Sequence, residues 1–214
     1  GASEKMRLWF ARNQLKAIII GGKRSVEDYP AITVDIVAAG LDAIHRLYTK
    51  GHINQALIIP DSQLTDDQNL ATAFRTNVHE KAPILEVSED PDDLFSQLES
   101  LFLTSESESK SSISAIIIAH DRLGIGACTW LQHHDYRIPH DVSIVLLRSQ
   151  PMMDFHFPSI SHYKAQEKSA PKQVYSWIMN LIQSGACAKS HVKLMPQFVS
   201  GGSIADINSR TLAE

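Results

Sequence analysis

The chain has 214 residues and a formal net charge of −4 with a pI near 6.2, so it has room for one large domain or two small ones. A chain with this charge is a poor nucleic-acid binder by itself. No apolar run reaches the roughly 18 residues of a membrane helix, no signal peptide is visible, and two cysteines do not make a disulfide framework. We therefore expect a globular protein of a reducing cytoplasm with no membrane contact, and Gly1 in place of an initiator Met indicates a piece of a longer protein.

Read in chain order, short apolar runs alternate with segments whose apolar residues recur at helical spacing. The predicted helices cover residues 4–14, 37–50, 65–78, 91–103, 121–134 and 171–183. The predicted strands cover residues 17–20, 32–35, 55–59, 84–87, 116–118, 142–147, 159–163 and 192–199, the last interrupted by Pro196. Residues 104–112 read TSESESKSS and are predicted as a mobile surface loop. Strands that alternate with helices predict an α/β fold with parallel sheets.

The segment from residue 114 to 147 shows this alternation most clearly. Residues 116–118 are three isoleucines, typical of a strand that is buried on both faces. Asp121 follows and is predicted to cap the next helix with its carboxylate. Gly124 and Gly126 lower the helix propensity, which favours a close approach of this helix to the sheet. A second apolar strand at 142–147 completes a unit in which the two strands run parallel.

Two sequence motifs in this segment carry a resemblance to a known family. The first strand ends in Ala119-His120-Asp121, and the stretch before the second strand includes Pro139-His140-Asp141-Val142-Ser143. They resemble the Ala-Asn-Asp and Pro-x-Asp-Val-Ser motifs of the effector-binding domain of the lac/galactose repressor family of bacterial transcription regulators. The resemblance extends over about residues 17–204 and includes Gly51-His52, where we predict that His52 has a structural role in a turn.

The resemblance implies a periplasmic-binding-protein-like type I fold, with parallel sheets flanked by helices. One subdomain is expected to be nearly complete and the second partial. By this pattern, residues 35–156 and 190–204 form the C-terminal subdomain, and residues 1–34 and 159–189 form a remnant of the N-terminal one. The strands at 17–20 and 159–163 are accordingly predicted to lie in a different sheet from the strand at 116–118.

The resemblance also places candidate ligand-binding residues. His120 takes the place of the family's effector-binding Asn, and Arg148 takes the place of an Asp that bonds sugar hydroxyls. Leu70 replaces the family's Arg, with Phe74 as the aromatic residue that follows it, and Asp121 completes the set. For each polar residue a structural role is open as well: His120 as a partner of loop backbone, Asp121 as a helix cap, and Arg148 as a surface residue.

Neither a metal site nor a cofactor site is predicted. The chain has ten histidines but no His-x-x-x-His or Cys-x-x-Cys spacing. It also lacks the Gly-x-Ser-x-Gly, Walker and Gly-x-Gly-x-x-Gly patterns. We therefore predict that the protein is not an enzyme, although His120 and Asp121 at the end of a strand leave an enzyme on a doubly wound sheet as one alternative.

We therefore predict that the chain is the effector-binding and dimerisation region of a cytoplasmic transcription regulator. Its effector is expected to be a sugar-like small molecule or related metabolite, and Arg148 favours one with a carboxylate, phosphate or other acceptor group. A homodimer is expected, with DNA contacted only through a headpiece outside this chain. The alternative is a periplasmic-type solute-binding protein, which has the same fold.

Overall fold

The computed structural model describes residues 4–20, 29–62, 65–103, 112–148, 155–165, 169–184 and 191–209. The serine-rich loop predicted at 104–112 lies outside these residues except for its last position. Within the described residues there are six helices, α1 (Glu4–Arg12), α2 (Ile36–Thr49), α3 (Thr65–Asn77), α4 (Pro91–Phe102), α5 (Asp121–His133) and α6 (Ser169–Ser184). The same residues form nine strands, β1 (Ile19–Ile20), β2 (Ala31–Val34), β3 (Gln55–Pro60), β4 (Ile84–Val87), β5 (Ala115–Ile118), β6 (Ser143–Leu146), β7 (Ser161–Lys164), β8 (His191–Leu194) and β9 (Gln197–Val199).

The strands form two sheets, which belong to two compact units of the chain. The smaller unit comprises residues 1–35 and 165–197 and holds a three-stranded parallel sheet in the order β1-β2-β8. The larger unit comprises residues 36–164 and 198–214 and holds a six-stranded sheet in the order β4-β3-β5-β6-β7-β9. The pairs from β4 to β7 are all parallel. The predicted α/β fold with parallel sheets and flanking helices is confirmed.

The prediction for the strand at 159–163 is wrong. This strand is β7, and it pairs with β6 in the six-stranded sheet, where Ser161 lies beside Val145. Long-range contacts decide this placement, because Ser161 N–H donates to Ser203 Oγ over 2.8 Å and the Tyr163 ring is buried in the core of the larger unit. The chain therefore leaves the larger unit after residue 164, later than predicted.

The last two strands correct the prediction in a second way. Residues 190–204 were expected in one subdomain with 35–156, but β8 pairs with β2 in the three-stranded sheet, and only β9 belongs to the six-stranded one. Pro196 lies between the two strands. The strand predicted at 17–20 is β1, and it lies in a different sheet from β5, as predicted.

The six-stranded sheet has a hydrophobic cluster on each face, and β5 contributes to both. Ile116 and Ile118 belong to the first cluster, with apolar residues of α4 and α5. Ala115 and Ile117 belong to the second, with apolar residues of α2 and α3. Because successive strand residues point to opposite faces, a strand between two helical layers needs an uninterrupted apolar run. All four residues of β5 are buried, which confirms the interpretation of the isoleucines as a doubly covered strand.

The start of α5 differs from the prediction. The cap position is His120, whose side chain makes no capping hydrogen bond, and Asp121 is the first helical residue. The predicted capping role of Asp121 is therefore wrong, and its charge lies in the first turn, where the helix dipole favours an anion. Gly124 does allow close approach to the sheet, since a Cβ there would lie 2.6 Å from Leu146 Cδ2. At Gly126 the neighbour is Leu94 of α4 instead of the sheet.

A search of the described residues found no helix that is both long enough and apolar enough to cross a membrane.

Candidate functional site

Three neighbouring strands of the larger unit bring their carboxyl ends to one edge of the six-stranded sheet. β5 lies between β3 and β6, with Ile118 paired to Ile58 on one side and to Leu146 on the other. His120 and Arg148 each follow two residues after the paired positions Ile118 and Leu146. Ligands of parallel α/β sheets bind at the carboxyl ends of strands, so this edge is the candidate site.

The side chains of His120 and Arg148 contact each other directly. Arg148 Nη1 lies 2.7 Å from His120 Nε2, and both side chains are half-buried. A guanidinium only donates hydrogen bonds, so Nε2 must accept, and the proton of the neutral imidazole lies on Nδ1. The bond holds the guanidinium beside the end of β5 and leaves further N–H donors for a ligand. The sequence predicted both residues as ligand contacts, and the structure brings them together.

Burial and two carboxylates act on the pKa of the Arg148 guanidinium in opposite directions. Burial lowers the pKa of the Arg148 guanidinium, while the negative charges of Asp67 and Asp66 oppose that shift. Both Asp residues lie in the first turn of α3, which follows β3 along the chain. The edge therefore combines one guanidinium with a local negative potential, and an anionic ligand at Arg148 meets repulsion from α3 as well as attraction.

Asp67 is a polar residue of this edge that the sequence analysis missed. Its side chain is 1% exposed, and its Oδ2 accepts a 2.6 Å hydrogen bond from the Ser62 hydroxyl. Its Oδ1 is buried and has no hydrogen-bond partner among the described residues. A buried carboxylate oxygen without a donor is costly, so a ligand hydroxyl that reached it would be stabilised. The sequence holds no signal that singles out Asp67, because Asp66 and Asp67 have the ordinary position of carboxylates in the first turn of a helix.

Two of the other predicted site residues, Leu70 and Phe74, lie in the core. Leu70 and Phe74 are 1% and 0% exposed, and both pack in the second hydrophobic cluster with residues of α2 and β5. They are core residues in this structure, and they are not at the surface beside His120 and Arg148. Asp121 follows His120 in the first turn of α5 and is half-buried.

His52 has the structural role that was predicted for it. The ring is 1% exposed, and Nδ1 lies 3.1 Å from Ser114 Oγ. Nε2 lies 3.0 Å from the carbonyl oxygen of Ala205 and 3.1 Å from Ser143 Oγ. These bonds join the segments before β3 and β5 and the first residue of β6 to the chain after β9, at the end of the sheet opposite the candidate site.

Within the described ranges, the structure shows neither a metal site nor a reactive thiol. No group of three or more His, Cys, Asp or Glu side chains there is arranged to hold a metal ion. Cys128 is buried in α5, and burial raises the pKa of its thiol to about 12, so it stays protonated and unreactive at neutral pH.

Comparisons with known proteins agree with this architecture. The sequence model of the periplasmic binding protein-like domain family matches residues 44–204. A LacI transcriptional regulator from a Rhodococcus species has a similar structure, with a TM-score of 0.77 and 16% identity over 97% of this chain and 76% of that one. A LacI family regulator from Enterococcus faecium, solved with bound ribose, gives a TM-score of 0.74 and 19% identity over 96% of this chain and 77% of that one. A PurR family regulator from Vibrio parahaemolyticus gives a TM-score of 0.71 and 18% identity over 96% of this chain and 76% of that one. No curated protein sequence matches the chain.

Proposed function

The chain belongs to the periplasmic binding protein-like domain family, and we propose that it is the effector-binding and dimerisation region of a bacterial transcription regulator similar to the lac repressor. The observation that carries the proposal is the His120–Arg148 pair at the carboxyl edge of the larger sheet, at the two positions where the family resemblance places effector contacts. Pro139-His140-Asp141-Val142-Ser143 supports a regulator over a periplasmic-type solute-binding protein, and the similar structures cited above are those of regulators.

The effector in this proposal is a small polyhydroxylated metabolite with an acidic group. The similar regulator from Enterococcus faecium was solved with bound ribose, which supports a sugar-like skeleton. Arg148 supplies donors for a carboxylate or phosphate, and the buried Oδ1 of Asp67 supplies an acceptor for a hydroxyl. A sugar acid or a sugar phosphate offers both groups. A neutral sugar leaves the guanidinium without an anionic partner.

Regulation then follows from a change in the relative orientation of two subdomains when the effector binds. In this proposal residues 35–164 hold most of the C-terminal subdomain. DNA is contacted through a headpiece outside this chain, because the chain carries a net charge of −4, which disfavours binding to phosphates. The protein works in the cytoplasm as a homodimer and has no catalytic activity.

Two exposed aromatic side chains mark the surface at which we place the dimer contact. Phe155 and Phe157, which precede β7, are each 91% exposed. Exposed phenylalanines are costly in water, and aromatic residues are enriched in protein interfaces.

Changing both Phe155 and Phe157 to Ser is expected to convert a dimer to a monomer in sedimentation equilibrium. The matched control changes Tyr175 and Ile182, which are also exposed, to Ser, and it should leave the mass of the sedimenting species unchanged. A double variant that still sediments as a dimer would place the interface elsewhere.

The effector is tested by thermal shift with neutral sugars, sugar acids and sugar phosphates. Acidic compounds are expected to raise the melting temperature, and Arg148→Ala should abolish the rise. The matched control Arg75→Ala removes an exposed arginine at the other end of α3 and should keep it. A neutral monosaccharide that stabilises the protein as well as any acid, in both variants, would exclude the acidic effector.

A further inference from the structure

The larger unit has a cavity at the amino end of β3. Its volume is about 240 Å³, and it is open to solvent on one side. α2 supplies Leu41 and Tyr48, the start of β3 and the residues before it supply Gln55 and Ile53, and the end of α3 supplies Asn77. β3 spans six residues from Gln55 to Pro60, so the cavity lies roughly 17 Å from the candidate effector site at the strand's other end.

The walls of this cavity are apolar side chains that the fold leaves in contact with water. Tyr48 is 64% exposed, Ile53 is 68% exposed and Leu41 is 38% exposed. Three such side chains around one concave surface are more typical of a ligand site than isolated surface residues are. No Asp, Glu, Lys or Arg is among the described residues that line the cavity. The lining therefore favours an uncharged ligand.

Gln55 adds a directed polar group to the lining. The side chain is 2% exposed, and its Nε2 donates to the carbonyl oxygens of His52 at 2.8 Å and Ile44 at 3.4 Å. These two bonds fix which end of the amide is the oxygen. Oε1 is buried and has no hydrogen-bond partner within the described part of the chain. Gln55 lines the cavity, and a ligand donor that reached its Oε1 would pair an acceptor whose burial is otherwise uncompensated.

We propose that this cavity binds a small, flat, uncharged molecule that combines an aromatic or heteroaromatic ring with one N–H or O–H donor. The ring packs against Tyr48, Leu41 and Ile53, and the donor hydrogen-bonds Gln55 Oε1. Size supports this class, because a cavity of about 150 Å³ is enough for benzene, and the larger volume here accommodates a bicyclic ring. The site is separate from the one in the proposed function and does not depend on it.

Indole and benzofuran are the matched probes, since they have the same shape and only indole carries an N–H donor. In spectra of the ¹⁵N-labelled chain, indole should shift the amide signals of Tyr48, Ile53 and Gln55 in a saturable way. Benzofuran should bind the same residues about fivefold more weakly, the loss expected for one hydrogen bond. No saturable shift at millimolar indole would overturn the site, and equal binding of the two probes would overturn the role of Gln55.

A variant that fills the cavity tests its location. Leu41→Trp puts a large side chain into the cavity and should abolish the indole shifts. The matched control is Ile178→Trp, because Ile178 lies on α6 with a similar exposure of 42%, and it should bind indole like the wild type. His45→Trp repeats the test from another exposed α2 position that lines the cavity, should Leu41→Trp not fold. Unchanged indole binding in a folded cavity-filling variant would overturn the proposal.

Discussion

The hydroxyl of Tyr163 donates a 2.6 Å hydrogen bond to the carboxylate of Asp42, between residues 121 positions apart in the chain. Arg46 reaches the same carboxylate oxygen at 2.6 Å, and its guanidinium lies 4.2 Å from the centre of the Phe198 ring. The ring of Tyr163 packs against Phe198 in turn, with 5.2 Å between their centres. These contacts join α2 to β7 and β9. The two strands that enter the larger sheet last in chain order are therefore fixed to the first helix of the larger unit.

Removing the Tyr163 hydroxyl should therefore destabilise the larger unit. In Tyr163→Phe the buried ring is retained, and Asp42 loses one of its two donors while keeping Arg46. We expect the free energy of unfolding to fall by about 1.5–3 kcal/mol, the range typical of hydrogen bonds to a charged group. Urea denaturation measures the change. Tyr175→Phe removes the hydroxyl of an exposed tyrosine on α6 and should leave stability unchanged. Equal stability of the two variants would show that the bond to Asp42 contributes nothing.

The same cluster predicts how stability depends on pH. Burial raises the pKa of Asp42, but the hydrogen bonds from Tyr163 and Arg46 outweigh it, and the net pKa lies below the ordinary value of 3.8. A depressed carboxyl pKa contributes stability that is fully present above pH 3.8 and is lost as the pH falls through the folded-state pKa.

Asp42→Asn should thus cost stability at neutral pH and cost progressively less below pH 3.8. Urea unfolding of both proteins at neutral and acidic pH measures the convergence. Glu86→Gln, at an exposed position of β4, is the control and should show no such pH-dependent difference. A gap between wild type and Asp42→Asn that stays constant with pH would contradict the assignment of the charge.

Gly201 is expected to be intolerant of a side chain, because backbone atoms close the space around it. A Cβ there would contact the carbonyl oxygen of Ser159 and lie 2.7 Å from the carbonyl carbon of Ile160. Backbone cannot move aside as a side chain can, so Gly201→Ala should destabilise the protein by about 1–3 kcal/mol. The neighbouring Gly202 is the control, since the nearest atom to its Cβ would be Pro158 Cβ at 3.2 Å. Thermal unfolding that shows equal losses in both variants would contradict this reason.

The elements of this fold follow from local patterns, whereas the partners of its last strands do not. The apolar run at 116–118 and the helical spacing after it predicted β5 and α5 within a few residues. The strand at 161–164 was found too, but nothing within its own sequence says which sheet it joins. The choice rests on Ser203, Asp42 and Phe198, which are distant in the chain.

Some residues of the candidate site could be predicted from the sequence, and others could not. The family motif predicted His120 and Arg148, and their contact follows from two parallel strands ending side by side. The motif also pointed to Leu70 and Phe74, but their apolar side chains pack in the core instead of at the edge. Asp67 escaped notice because a carboxylate in the first turn of a helix is ordinary. Only its burial and its unpaired oxygen distinguish it, and both are properties of the folded chain.

Removing a negative charge near Arg148 is expected to change the affinity for the effector in the opposite direction to removing Arg148 itself. Asp66 acts on the guanidinium through space and is half-buried in the first turn of α3. If the effector is anionic, Asp66 repels it, so Asp66→Asn should tighten binding of a sugar acid about two- to fivefold at low salt, within the range measured for partly exposed charge pairs. The gain in affinity should shrink at high salt, because the interaction is screened.

Isothermal titration calorimetry at two salt concentrations measures both effects, with Glu86→Gln as the control that leaves affinity unchanged. A weaker affinity in Asp66→Asn would mean that this carboxylate holds a hydroxyl of the effector, and repulsion would then be the wrong description of its role.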